Sequence, residues 1–365
     1  IVSRNYNGKK RSYSVIMKTA NLMSKIIFRV DSNTVVGMGH LMRCLTLSDY
    51  LQKVYKAEII FCTNNFRGGV KRIEEKGYPI IRLNGTFNEK SELPILMDYM
   101  KKEPVDLFVV DMMRQRESFL SSLKKSTKVA YFCDDRDIHA YNVDLYMNHN
   151  ICLSNSVCND KATIYLLGPK YFILPTFFYE ERRANSKKNE IFLNQGGGDP
   201  YNLTCKILRA LKQVRNIEIK IVIGVAYKDE YKKELEVILE NYPLPYNVYE
   251  NANHQEMYQI MKDCIIAITA AGNTLYELCF LGIPSVVISH HDNHDIVARR
   301  FEQNNACLNL GIGNELNEEL IPVTVEHLLA DSQKRREISL RAKNLVDGKG
   351  LKRVADSLMG LICCN

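Results

Sequence analysis

The stretch from Lys25 to residue 51 does most to limit what this chain can fold into. An apolar run, Lys25-Ile-Ile-Phe-Arg-Val30, leads into a polar loop carrying Gly37 and Gly39, and a helical pattern follows over residues 41–51. That is a strand, a glycine-bearing loop and a helix. A strand followed by a crossover helix returns to a parallel neighbour, so repetition of the unit builds a parallel sheet. The unit does repeat. Apolar runs recur at 59–62, 79–83, 107–110 and 129–133, with helical patterns between them at 70–76 and 93–101. A looser stretch, with a Gly168-Pro169 turn, extends from Asn148 to about Lys188. The alternation then resumes at 191–194, with further strands expected at 219–223, 246–249, 264–269 and 285–288. The expected fold class is α/β, with two Rossmann-like domains.

The chain has 365 residues, enough for two such domains. The expected division is an N-terminal extension over 1–24, a first domain over 25–184, a second over 185–345, and a C-terminal helix or tail over 346–365. The polar, charged segment 179–189 reads as the interdomain linker. No apolar run approaches the ~20 residues of a membrane span, and residues 1–24 lack the apolar core of a secretory signal. Eleven cysteines are scattered without a C-x-x-C pair, which fits reduced thiols in a cytoplasm. The net charge of +7 is dispersed, so nucleic acid is not an expected partner; the charge suits an anionic substrate or loose contact with an anionic membrane surface.

In an open α/β sheet ligands bind at the carboxyl ends of the strands. Gly37 and Gly39 let backbone approach a ligand there, the start of the following helix favours an anion, and His40 and Arg43 stand one turn apart on that helix. A dinucleotide fingerprint is excluded, because Met42 occupies its third glycine position and the strand over 59–62 ends without an acid for a ribose. Acids gather at other strand ends: Asp31, Asp111 and the pair Asp134-Asp135. Taken singly each is a helix-capping candidate; together they outline a cleft. Gly196, Gly197 and Gly198 precede another helix and form a second candidate phosphate cradle. The richest segment is 264–284, where a buried strand meets the small-residue loop Ala271-Gly272 and a helix begins at about Asn273, with Thr274 following and Glu277 one turn in. The run His290-His291-Asp292-Asn293-His294-Asp295 lies on a short strand-to-helix loop and lacks a remote ligand set, so no metal site is expected.

With these residues assembled, the chain resembles the UDP-sugar hydrolases of the pseudaminic-acid pathway and their spore-coat polysaccharide relatives. These are similar in turn to the peptidoglycan N-acetylglucosaminyltransferase, whose two Rossmann-like domains face each other across a cleft in the GT-B arrangement. The resemblance covers about residues 25–300. It is carried by Arg29-Val-Asp31-Ser32 with Gly37-x-Gly39-His40-x-x-Arg43, by Asp134-Asp135, by Leu167-Gly168-Pro169-Lys170-Tyr171, by Gly197-Gly198-Asp199-Pro200-x-Asn202-Leu203-Thr204, and by Ala271-Gly272-Asn273-Thr274-x-Tyr276-Glu277.

The resemblance implies a cytoplasmic enzyme that uses neither metal nor cofactor and releases UDP and free sugar from a UDP-sugar. It implies His40 as catalytic base, Glu277 as ligand of the ribose hydroxyls, and the loop ending at Gly272-Asn273 as the pyrophosphate holder. Asp31 is then expected to orient His40, and Arg43 to hold the diphosphate or a sugar oxygen. Gly37, Gly39, Asp111, Asp134, Gly197, Gly198, Ala271, Gly272, Asn273, Thr274, Glu277 and Asn293 are the expected substrate-binding set. The chain departs from the family at Asp111-Met112-Met113-Arg114, where an Asp-His-Tyr loop is usual, and at Pro175-Thr176-Phe177-Phe178, where an Arg-Pro-Glu-Phe run is usual. Both lie on the sugar side. A glycosyltransferase with the same donor, or a sugar-nucleotide-binding subunit without catalysis, are the alternatives.

Overall fold

The computed structural model describes residues 23–32, 38–112, 116–154, 156, 158, 160–180 and 188–363. Residues 1–22 of the expected extension over 1–24, Gly37 and the linker centre at 181–187 lie outside the described residues.

The first domain alternates β1 (Lys25–Val30), α1 (Gly39–Tyr55), β2 (Glu58–Asn64), α2 (Arg67–Glu75), β3 (Ile80–Leu83), α3 (Glu89–Lys102), β4 (Leu107–Asp111), α4 (Glu117–Lys124) and β5 (Lys128–Phe132). It then adds β6 (Leu145–Asn148), β7 (Ile164–Leu167) and the short α5 (Phe177–Glu180). All seven strands are parallel, in the order β3-β2-β1-β4-β5-β6-β7. Such strands are buried on both faces and read as near-continuous apolar runs; in β1, Ile26, Ile27, Phe28 and Val30 are all fully buried. Strands β6 and β7 fall at the start of and inside the stretch expected to be loose. Each has four residues, and neither was among the expected strands.

The second domain contains β8 (Lys188–Asn194), α6 (Leu203–Leu211), β9 (Glu218–Ile223), α7 (Asp229–Leu239), β10 (Tyr246–Glu250), α8 (His254–Met261), β11 (Cys264–Thr269), α9 (Asn273–Leu281), β12 (Ser285–Ser289), α10 (Asp292–Gln303), β13 (Leu308–Ile312), α11 (Leu320–Ala330) and α12 (Ser332–Leu345). Its six strands are also parallel, in the order β10-β9-β8-β11-β12-β13. The last helix, α13 (Gly350–Cys363), returns to the first domain and packs Leu351, Val354, Leu358 and Leu361 into the core beside α1.

Each sheet has one topological switch point, where successive strands depart to opposite sides: between β1 and β4 in the first, and between β8 and β11 in the second. A crevice opens at such a point, outside the strands' carboxyl ends. The two domains are tied together on one side. Ile151, Phe172, Leu174 and Phe178, from the end of the first domain, share a core with Tyr276, Phe280 and Phe301 of the second. The Tyr276 hydroxyl accepts a hydrogen bond from the Ile151 amide at 3.2 Å.

Candidate active site

At the first switch point Asp111, the last residue of β4, is fully buried in register with Val30 of β1. Helix α1 starts directly above it and brings two side chains down onto its carboxylate. His40 Nδ1 lies 2.7 Å from Asp111 Oδ1. Arg43 binds the same carboxylate in a fork, its Nε 2.5 Å from Oδ2 and its Nη2 on Oδ1. Cys44 Sγ adds a contact to Oδ2 at 3.2 Å. Arg43 Nη1 reaches on to Asp134 Oδ1 at 2.7 Å. One buried arginine thus bridges two carboxylates and fixes the helix start over the sheet.

Electrostatics follow from this packing. Burial works against the Asp111 charge, but Arg43 and His40 hold its carboxyl well below the usual carboxylate range. In the neutral ring the ionised carboxylate, which only accepts hydrogen bonds, favours the proton on Nδ1, with Arg43 Nη2 3.0 Å from the same nitrogen, and the Nε2 lone pair is then open. Nε2 lies 3.8 Å from the half-exposed Asp134. Burial also disfavours the imidazolium, but the charge and hydrogen bond of Asp111 outweigh it, and the pKa of His40 is raised above its ordinary 6.5.

Asp31 is not the partner of His40. Its carboxylate takes Arg29 Nη1 at 2.5 Å and Nη2 at 3.0 Å, and accepts the Asn64 amide at 2.9 Å. The reason is local: Arg29 is fully buried in β1 and is neutralised by Asp31 and Glu92 together. Asp111 holds the place expected for Asp31. Arg43, expected to face substrate, is mostly engaged by Asp111 and Asp134.

Across the cleft, α9 begins after Gly272 without a side-chain cap. Its first amides, at Asn273 and Thr274, are orphan donors at the positive end of a helix dipole. A concavity joins Ala271, Gly272 and Asn273 to Asn293, His291 and His294 of the second domain and to Asp134, Asp135 and His149 of the first. A second, narrower one brings Gly39 and Arg43 of α1 together with Asn273 and Glu277. Glu277 is 6% exposed and lies 3.6 Å from His254 Nδ1.

The glycine loop after β8 is arranged differently from expectation. Asp199 is buried, and its two oxygens take the Leu203 and Thr204 amides at 2.8 and 2.7 Å. The start of α6 is therefore capped by its own acid. The loop leans instead on its neighbour, with the Ala226 amide on the Gly197 carbonyl at 3.1 Å and Ala226 packed near Gly198.

Sequence reasoning did not single out His149 or His254. His149 lines both concavities, hydrogen bonds with Asn273 and lies 3.7 Å from Asp134. Burial lowers its pKa, so it is neutral at neutral pH. It follows β6, a strand just ahead of the stretch expected to be loose and not among those expected, and no pattern placed it at a sheet edge. Among the described residues no group of three or more histidines, cysteines or acids is disposed to hold a metal.

Comparison with known proteins fits this architecture. A family profile described as UDP-N-acetylglucosamine 2-epimerase matches residues 195–359. An uncharacterised protein of Methanocaldococcus jannaschii is 31% identical over 280 residues, 73% of this chain and 56% of that protein, so the chain spans little more than half of that relative's length. The spore coat polysaccharide biosynthesis protein SpsG of Bacillus subtilis is 27% identical over 341 residues, 91% of this chain and 96% of that one. The UDP-2,4-diacetamido-2,4,6-trideoxy-beta-L-altropyranose hydrolase of Campylobacter jejuni is 23% identical over 278 residues, 75% and 94% of the two chains. Among solved structures, MurG of Acinetobacter baumannii superposes with a TM-score of 0.66 at 14% identity, over 92% of this chain and 99% of that one. The rhamnosyltransferase SpnG complexed with thymidine diphosphate gives 0.60 at 12% identity, over 93% and 100%. The chain is thus a two-domain GT-B protein whose relatives are the spore-coat polysaccharide protein and the UDP-sugar hydrolases of pseudaminic-acid biosynthesis.

Proposed function

We propose that this protein hydrolyses a UDP-sugar at its anomeric carbon. The observation that carries the reading is the His40–Asp111 pair at the start of α1, whose Gly39 and Arg43 line one concavity with Asn273 at the uncapped start of α9. His40 Nε2 takes a proton from water as the water oxygen bonds to the anomeric carbon. The bond from that carbon to the diphosphate oxygen breaks, and UDP departs with the electron pair. The Asn273 and Thr274 amides and the helix dipole meet the growing negative charge. Asp111 holds the proton of His40 on Nδ1 and stabilises the imidazolium that forms. Arg43 locks Asp111 and Asp134 in place, and Glu277 receives the ribose hydroxyls. Relatives with hydrolase names and a structural neighbour bound to a nucleoside diphosphate support the substrate class.

The test is incubation with a panel of UDP-sugars in the absence of any acceptor. Release of UDP together with free sugar is expected, and intact substrate across the panel would end the reading. A transferase is the second reading, favoured by the transferase neighbours, because the same base would deprotonate an acceptor hydroxyl. Turnover that starts only on adding an alcohol or lipid acceptor would select it.

A further inference from the structure

Two concavities meet in the cleft, and among the described residues His149 and Asn273 are the pair that lines both. The narrower one holds Glu277, and the wider one holds Gly272 and Asn293. A ligand that fills both must pass between His149 and Asn273. In a UDP-sugar the stretch between ribose and sugar is the diphosphate, an anion. His149 is held at that passage by its neighbours. It follows β6 and is 6% exposed, and its ring stands edge-on to Phe172 at 5.0 Å and to Tyr276 at 5.2 Å. Those two rings come from different domains and stack on each other at 4.8 Å, so the imidazole is wedged into the seam that joins the domains.

The groups that face the imidazole set its charge. Asp134, from the loop after β5, stands 3.7 Å from Nδ1, outside hydrogen-bond reach, and is bridged to Arg43 of α1. Asp111 of β4 and the Asn273 side chain of α9 favour the imidazolium, and Arg43 opposes it. Tyr276 of α9 brings no charge, because burial pushes its phenol up and its oxygen accepts the Ile151 amide. Burial outweighs the rest, and the imidazole is neutral at neutral pH in the free protein. An anion between His149 and Asn273 supplies the unshared counter-charge that Asp134, engaged by Arg43, does not. The ring then takes one proton from solvent and donates to a phosphate oxygen, on the side opposite the Asn273 and Thr274 amides.

Building on the proposed function, we infer that His149 is a substrate-binding residue of the first domain: it gains a proton as the diphosphate enters and, as imidazolium, clamps it against the start of α9. The positive charge is then in place where negative charge grows as UDP departs. Binding of the diphosphate and closure of the domain seam become one event, because the same ring takes part in both.

The test is calorimetric titration with UDP, and with uridine, which lacks the phosphates, in buffers that differ in protonation enthalpy. His149→Phe keeps the edge-on packing, and His149→Gln keeps a hydrogen-bonding group for Asn273; neither can carry the charge. Both should weaken UDP about ten- to a hundredfold, the scale of one charge-assisted hydrogen bond, and leave uridine within about twofold. The unsubstituted protein should take up protons on binding UDP at about pH 7, and both variants should take up fewer. Since the charged ring is lost as pH rises, UDP affinity of the unsubstituted protein should fall between about pH 7 and about pH 9, and fall less in the variants. Full UDP affinity or unaltered proton uptake in His149→Gln would overturn the inference. Equal losses for uridine and UDP would do so too, since His149 would then only pack the seam, and so would a parent protein that binds no UDP. Hydrolysis is scored separately: proton-linked UDP binding in a protein that hydrolyses no UDP-sugar would sink the proposed reaction and leave the clamp standing.

Discussion

The protonation state of His40 is set by what lies against its Nδ1. A base works when neutral, and Asp111 raises the pKa of His40 above 6.5, so turnover should climb with pH along a limb lying above that value. His40→Ala and His40→Asn should each lower turnover by about 10²–10⁴-fold and abolish the limb, with UDP affinity nearly unchanged because in the proposed reading the nucleotide sits on α9. Full activity in His40→Asn would reduce His40 to a loop-shaping residue. Asp111→Asn separates the two roles of the carboxylate. Losing the charge that raises the His40 pKa should move the remaining limb to lower pH. Leaving Arg43 short of a buried counter-charge should destabilise the fold by about 3–5 kcal/mol in urea titration. The pKa of Asp111 is depressed in the folded state, so its stabilisation is present above its ordinary value and is lost as pH falls through the folded one. Unchanged acid unfolding in the variant would contradict the assignment. The sequence showed that acids collect at strand ends, but not which acid meets which base. That choice depended on Arg29, whose burial in β1 claims Asp31, a tertiary fact with no periodicity.

At the scale of elements, long apolar strands and well-punctuated helices were the legible ones. Strand β11 occupies the residues expected of it, and α9 starts at Asn273 and stops at Gly282, whose φ of 66° is the left-handed turn that glycine accepts. Two helix starts of the second domain differ in how much they revealed. The glycines ahead of α6 read as a phosphate cradle, and the Leu203 and Thr204 amides at the start of that helix are held by Asp199. The start of α9 carries no acid in its first turn and no side-chain cap, and it is the terminus left open to an anion. Glu277, one turn in, should therefore matter to the nucleotide: Glu277→Ala is expected to weaken UDP binding by about 1–3 kcal/mol, read by calorimetric titration. Unchanged affinity would remove Glu277 from the site. Helix α13 makes a second element-scale case. Leu358 is fully buried in the first domain's core, so Leu358→Ala should cost about 2–5 kcal/mol of stability, although the residue lies far along the chain from that domain. A loss near zero in urea unfolding would mean that α13 is not part of that core.

Across the whole molecule, each domain completes the other. Phe172, Leu174 and Phe178, from the end of the first domain's chain, are packed in the second domain's core, while α13, the end of the second domain's chain, fills the first. The aromatic contacts are close: Phe172 stacks on Tyr276 with centroids 4.8 Å apart, and Phe178 meets Tyr258 at 5.0 Å and Phe280 at 6.0 Å. Neither sheet can then lose its packing without exposing apolar surface of the other. Unfolding is expected to be one cooperative transition, with calorimetric and van't Hoff enthalpies in agreement, although chains with two domains commonly show two. Phe178 is 1% exposed, and Phe178→Ala should open a cavity at this junction, costing about 3–5 kcal/mol. The loss weakens the second core first, so the single peak should broaden or divide, with the earlier part belonging to the second domain. UDP binds that domain in the proposed reading, and a ligand stabilises the state it binds by an amount set by its concentration over its Kd. Saturating UDP should therefore move the earlier part upward and bring the two together again. Two well-separated peaks in the unsubstituted protein would show that the shared core does not couple the domains.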